Sequence, residues 1–321
     1  MQVQGLIHGG VMVNYRCNAA CRHCLYACSP SRLPGYVSKD KMLDICRLLK
    51  KGRIGSVHIG GGEPFLDFKS LIMVIQELNR AGITLDYIET NAFWADTSCE
   101  EFLPVLLREE VRALCISIDP FHTEYIAWGK PVNLARSCEK HGMGYFLWKQ
   151  DFIKSLSRLD NKKPLNRPEI EASLSGSYVG ETARAYGIRL GGRAVNIEEE
   201  YGFKKSAVEV LDNRPCDALL STGHFHIDLD AYFIPPGCTG LRLPLDELLE
   251  GTEEGRYPVF EALYSSGISG LYQFAQKHGF NEDKNGYVSK CNLCFHIRKF
   301  LAPQGFPELD EDFYTESLKY Y

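Results

Sequence analysis

The stretch Leu6-Ile7-His8-Gly9-Gly10-Val11-Met12-Val13-Asn14 runs almost directly into Cys17-Asn18-Ala19-Ala20-Cys21-Arg22-His23-Cys24. The first part predicts a strand, weakened by its glycines. The second part is a loop holding three cysteines at spacing C-x3-C-x2-C. Three thiolates this close suit three corners of an iron–sulfur cluster, leaving a fourth iron open. Zinc, with His23 as a fourth ligand, is the alternative reading.

Working outward, the next elements alternate. Ser38 reads as the N-cap of a helix to about Lys51, with Met42, Ile45, Cys46 and Leu49 on its apolar face. The strand Ser56-Val57-His58-Ile59 then runs into Gly60-Gly61-Gly62-Glu63-Pro64, followed by a helix from about Asp67 to Arg80. A strand over 85–90 ends in Asn91, and a helix covers about 98–110. The strand 113–119 ends at Asp119-Pro120, a helix covers about 131–141, and a strand runs from Gly144 to Trp148. Residues 150–187 read as polar and mostly helical, and Ile188-Arg189-Leu190 as a last short strand.

This alternation, about six times over, predicts an α/β fold with a parallel sheet and helices outside it. Six units fall short of a closed eight-stranded barrel, so the expected form is a partial (β/α)6 barrel. Chemistry in such folds sits at the C-terminal ends of the strands. The cysteine loop, Gly61-Gly62-Glu63, Asn91 and Asp119 all fall there.

After about residue 210 the pattern changes. His226 to Ile234 reads as a β-hairpin around Asp230-Ala231, followed by Pro235-Pro236-Gly237-Cys238 and helices near 244–250 and 258–277. Two domains are therefore expected: a core over 1–210, and a small α+β domain with a hairpin over 211–321.

Composition excludes several classes. A net charge of -5 with no basic block gives no electrostatic support for nucleic-acid binding. Lacking a long apolar run or a signal-like N-terminus, the chain is expected to be cytoplasmic, with no membrane partner. Thiols stay reduced there, so 12 cysteines call for a reason other than disulfides. Cys46, Cys99, Cys115 and Cys138 are isolated and read as buried small hydrophobes. Cys28 reads as a spare ligand, a hydrogen-atom donor or an inert thiol.

The C-x3-C-x2-C loop after strand one, with Gly61-Gly62-Glu63-Pro64 after strand two, resembles the radical S-adenosylmethionine (SAM) superfamily over roughly residues 6–195. The resemblance implies that Cys17, Cys21 and Cys24 hold a 4Fe–4S cluster and that SAM chelates its open iron. It places His23 near the adenine and the backbone of Gly61, Gly62 and Glu63 at the methionyl ammonium. Asn91, Ser117 and Asp119 join the expected cofactor contacts, the last two sharing a strand face and facing the ribose. Arg193 is expected to pair with the methionyl carboxylate.

Cys216, Cys238, Cys291 and Cys294 resemble the ligand set of a twitch domain, a shortened relative of the SPASM domain. The resemblance implies a second, auxiliary 4Fe–4S cluster there, with a four-cysteine zinc site as the alternative. The reaction implied is reductive cleavage of SAM to a 5′-deoxyadenosyl radical that takes a hydrogen atom from a substrate carbon. Electrons would come from a donor such as flavodoxin or ferredoxin. A ribosomally made peptide is the expected substrate, ending in oxidation, a crosslink or epimerisation; a dehydrogenase acting on a small metabolite is the alternative. With sixteen residues before Cys17, the leader-peptide-binding module of some relatives is expected to be absent at this end. A non-catalytic iron–sulfur or zinc scaffold is the reading from another class.

Overall fold

The computed structural model describes residues 3, 5–148, 150, 152–174, 178–185 and 191–319. Five parallel strands alternate with helices: β1 (Gly9–Met12), β2 (Ser56–Gly60), β3 (Thr84–Thr90), β4 (Ala113–Ser117) and β5 (Gly144–Trp148). Between them run α1 (Lys39–Lys51), α2 (Phe68–Ala81), α3 (Cys99–Arg108), the one-turn α4 (Pro120–Thr123) and α5 (Gly129–His141). Local chemistry explains the boundaries. The Ser38 hydroxyl accepts from Lys41 N at the start of α1, and the Asp67 carboxylate accepts from Ser70 N at the start of α2. Pro120 sits in the first turn of α4 behind the Asp119 cap, so β4 stops at Ser117, two residues short of the sequence reading.

The sheet is open, with strand order β5-β4-β3-β2-β1-β6-β7-β8. The expected hairpin is present as β6 (Phe225–Ile227) and β7 (Tyr232–Ile234), and β8 (Leu243–Pro244) follows. These strands extend the same sheet: β6 pairs parallel to β1, with Gly10 opposite His226, and β7 and β8 continue antiparallel. The hairpin thus continues the sheet past the first strand, with Cys238 following β7. The strand expected at 188–190 lies outside the described residues.

The main core packs α1, α2, α3 and α5 against the sheet through residues such as Ile45, Leu49, Leu71, Ile75, Leu103 and Leu134, all fully buried. A second apolar cluster lies beneath the cysteine loop and includes Met12, Ile118, Phe121, Phe152 and Ile234. Burying this much apolar surface on two sides of the loop fixes where it can sit. Cys46, Cys99, Cys115 and Cys138 are all buried, as small hydrophobes would be. No helix among the described residues is long and apolar enough to cross a membrane.

Candidate functional site

The strand ends converge on a cavity of about 610 Å³. Cys17, Cys21, Cys24 and Cys28 line it, facing Gly61 and Gly62 from β2, Asn91 from β3, and Ser117 and Asp119 from β4. Most of the residues singled out in the sequence therefore share one space, although they span a hundred positions.

The cysteine loop is held by its backbone. Cys17 N donates to Ser29 O at 3.1 Å, and Cys24 N to Cys21 O at 3.0 Å. Arg193 is fully buried behind the loop. Its Nε donates to Cys21 O at 3.0 Å, its second terminal nitrogen to Cys28 O at 2.6 Å, and its backbone N to Cys24 O at 3.1 Å. Arg193 thus braces the loop and does not line the cavity.

The thiols differ in acidity. Cys28 and Cys24 share a hydrogen bond that holds Cys24 well below, and Cys28 well above, the ordinary thiol range. Burial, with the neighbouring Cys21 and Glu63, raises Cys17. Ala19 N, at 3.4 Å, and Asn91 Nδ2, at 3.7 Å, both donate to Cys17 Sγ. Three soft sulfur donors with N–H groups aimed at one of them fit an iron–sulfur cluster.

The glycine turn is a backbone cradle. Gly61 has φ +136°, and a Cβ there would meet Asn14 O at 2.6 Å; at Gly62 a Cβ would meet Arg16 O at 2.0 Å. Only glycine lets the turn lie this close to the start of the cysteine loop. Gly62 N donates to Asn14 O at 2.9 Å and Asn14 Oδ1 at 3.0 Å, and Asn14 Nδ2 donates to Glu63 O at 3.1 Å. The Glu63 side chain points away from the cavity. Its carboxylate accepts from Phe65 N (3.1 Å), Thr90 Oγ1 (2.9 Å) and Asn91 N (2.7 Å), locking β2 to the end of β3. Burial pushes this carboxyl up to about 7, against those three donors.

On the opposite wall His23 stacks on Phe121 with ring centroids 4.7 Å apart, and its Nε2 lies 3.3 Å from Asp119 Oδ2. The same Asp119 oxygen lies 2.7 Å from His122 Nδ1. Burial alone would raise Asp119 and lower His122. Their pairing outweighs it, holding Asp119 well below and His122 well above their ordinary ranges.

The second set is also gathered. Cys216 caps the short helix 217–220, Cys238 follows β7, and Cys291 and Cys294 lie one turn apart on the helix Lys290–Leu301. A hydrogen bond from Cys238, opposed by burial, brings Cys216 down to about 6 and leaves Cys238 well above the thiol range. Burial and the neighbouring Cys294 and Cys216 push Cys291 up to about 11. The buried Arg298 guanidinium stands beside Cys294 and Cys238. Gly237, next to Cys238, lines the cavity.

Several cavity residues were missed in the sequence. Glu89 is a carboxylate inside β3, and Trp148 and Tyr26 are aromatics at its rim. Asn14 carried a usable signal, a polar residue ending an apolar strand before the cysteines. For Glu89 the signal was a charge between Ile88 and Thr90, near the C-terminal end of a strand.

The family model described as the Radical SAM superfamily matches residues 11–141. A protein of Bacillus subtilis (strain 168) named for peptide biosynthesis, YydG, is 25% identical over 211 residues, covering 64% of this chain and 62% of that protein. The match thus spans less than two thirds of the relative's length. Among solved structures, anSMEcpe with bound AdoMet and a Cp18Cys peptide is 14% identical with TM-score 0.44, covering 93% of this chain and 97% of that one. SuiB of Streptococcus suis bound to the precursor peptide SuiA is 14% identical with TM-score 0.39, covering 90% and 76%. BtrN with AdoMet and 2-DOIA is 12% identical with TM-score 0.44, covering 84% and 91%.

Proposed function

With residues 11–141 belonging to the radical SAM superfamily, we propose that this enzyme modifies a peptide by hydrogen-atom abstraction, using a 4Fe–4S cluster on Cys17, Cys21 and Cys24. The observation that carries the reading is the meeting of these thiols with the Gly61–Gly62 cradle in one cavity. When bound, cluster and SAM supply reductive cleavage to methionine and a 5′-deoxyadenosyl radical. The radical SAM fold binds both groups.

The chain's residues do the positioning. Asn14 fixes the glycine turn against the cysteine loop, leaving strand-end carbonyls of the turn as acceptors for the methionyl ammonium. Glu63 holds β2 and β3 in register from behind. His23, stacked on Phe121 and anchored by Asp119, gives a flat surface for the adenine. Ser117 and Asp119 offer acceptors for ribose hydroxyls. Water exclusion comes from the apolar cluster beneath the loop.

Two observations support a peptide substrate. The relative YydG is named for peptide biosynthesis. Among the described residues the sheet also ends at β5, whose Phe146 and Trp148 are 40% and 51% exposed. An open strand edge beside a cavity can take an extended peptide by backbone pairing, with aromatic side chains gripping alternate residues. Cys216, Cys238, Cys291 and Cys294 are proposed to hold an auxiliary cluster, which would supply a one-electron acceptor. A flavodoxin- or ferredoxin-like donor would reduce the first cluster.

The test is anaerobic reconstitution followed by reduction with SAM. The reading predicts about eight irons per chain if both sites hold 4Fe–4S clusters, and formation of 5′-deoxyadenosine. A peptide substrate should change in mass. Fully iron-loaded protein that forms no 5′-deoxyadenosine overturns the reading.

A further inference from the structure

Four of the chain's nine histidines gather on one face of the sheet, two of them, His224 and His226, on the wall of the cavity that the first cysteines line. Their placement follows from register. Gly10 on β1 is paired with His58 on β2 and with His226 on β6. His8 and His224 each lie two residues earlier in their segments, so the strand period puts them on the same face, one row below. Gly10 makes room between the upper pair: a Cβ there would lie 2.3 Å from His58 Nε2 and 2.6 Å from His226 Cδ2. Across this bare position the two Nε2 atoms meet at 3.1 Å.

The hydrogen bonds leave a specific deficit. His58 is fully buried and spends Nε2 on His226, while its Nδ1 is buried with no hydrogen-bond partner. His226 is held from its other nitrogen by the Tyr26 hydroxyl at 2.7 Å. His8 has Nδ1 3.4 Å from the Asp86 carboxylate, which leaves Nε2 for a ligand. One ring nitrogen each from His8, His58 and His224 falls within 4.8 Å of the other two.

We propose that His8, His58 and His224 form a site for a divalent transition metal, separate from both cysteine sets. Three imidazoles suit zinc and its first-row neighbours. The His8–Asp86 pair is the carboxylate–histidine arrangement that orients a metal ligand. Tetrahedral zinc ligands at about 2.0–2.1 Å from the ion stand roughly 3.3 Å apart. Reaching that spacing requires His8 and the exposed His224 to close inward. Three protein ligands leave a fourth position, and His224 lines the cavity. An oxygen ligand of the substrate, a carboxylate or amide carbonyl, or a water would occupy it.

The probe is zinc, added to untagged, iron-loaded protein and followed by desalting, metal analysis and zinc-edge absorption. The expected result is about one zinc per chain with nitrogen ligands near 2.0–2.1 Å and no sulfur near 2.3 Å. His224→Ala, at an exposed position, should drop zinc to background and leave iron unchanged. Asp86→Asn should weaken zinc binding on the order of 10-fold. Absence of zinc in the wild type, sulfur ligation, or retention of zinc by His224→Ala overturns the proposal. So does joint loss of zinc and iron in that variant, which would make them one property. The measurement needs no SAM, so it is independent of the cleavage assay.

Discussion

Alanine at position 62 would place its Cβ 2.0 Å from the Arg16 carbonyl oxygen and 2.5 Å from its carbon, where real Cβ atoms keep beyond 3.0 Å. The turn and the cysteine loop must therefore part by about 1 Å. The clashing group is backbone, tied to the same turn by Glu63 N donating to Arg16 O at 3.1 Å, so no side chain can swing aside. Overpacking of this kind costs about 1–3 kcal/mol of stability. A 1 Å misplacement of reacting groups costs on the order of 100-fold in rate. Gly62→Ala is therefore expected to fold, bind iron, and form 5′-deoxyadenosine about 100-fold more slowly. The assay is 5′-deoxyadenosine against time in reduced protein, with iron content measured on the same sample. Gly55→Ala is the control, since a Cβ there meets nothing within 4 Å. A wild-type rate in Gly62→Ala, or an equal loss in Gly55→Ala, refutes the cradle.

Arg193→Met removes the charged donors to Cys21 O and Cys28 O; at about 1.5–3 kcal/mol for each such bond, iron at the first site should be lost faster to a chelator, and unchanged retention would contradict the bracing role. Cys21→Ala should abolish SAM cleavage, whereas Cys291→Ala should keep some cleavage and lose modified product; normal cleavage by both would contradict the assignment of the two sets. Burial pushes Asp228 up to about 6 from 3.8, so its contribution is fully present below 3.8 and lost as pH rises through about 6. Relative to Asp228→Asn, the wild type should lose up to about 3 kcal/mol between pH 4 and 7 in urea unfolding, and parallel profiles would contradict this.

Much of the fold was legible because its signals are local. The Ser38 and Asp67 caps and the alternating apolar runs of β2, β3 and β4 each report on a few neighbouring residues. The cysteine loop and the glycine turn were legible for a related reason: their chemistry demands particular residue types at fixed spacing. What the sequence did not reveal was set by pairing between distant segments. Nothing within Phe225–Ile227 says that it lies beside β1, because register between strands more than two hundred residues apart is decided by the whole sheet. The histidine row was hidden for that reason, since His8, His58, His224 and His226 become neighbours only through that pairing. Arg193 and Glu63 show a second limit. Their charge drew attention, but most of the atoms they serve are backbone groups, which residue type does not disclose. The cavity wall at Glu89 depends on which face of β3 turns inward, and that strand's mixed burial masked its alternation.

On the proposed function, SAM binds directly to a cluster held by Cys17, Cys21 and Cys24. Electron paramagnetic resonance of the reduced, iron-loaded protein, recorded with and without SAM, tests it. The expected result is a reduced 4Fe–4S signal that changes on addition of SAM and is missing from Cys21→Ala. A fully iron-loaded protein whose spectrum is the same with and without SAM would contradict it.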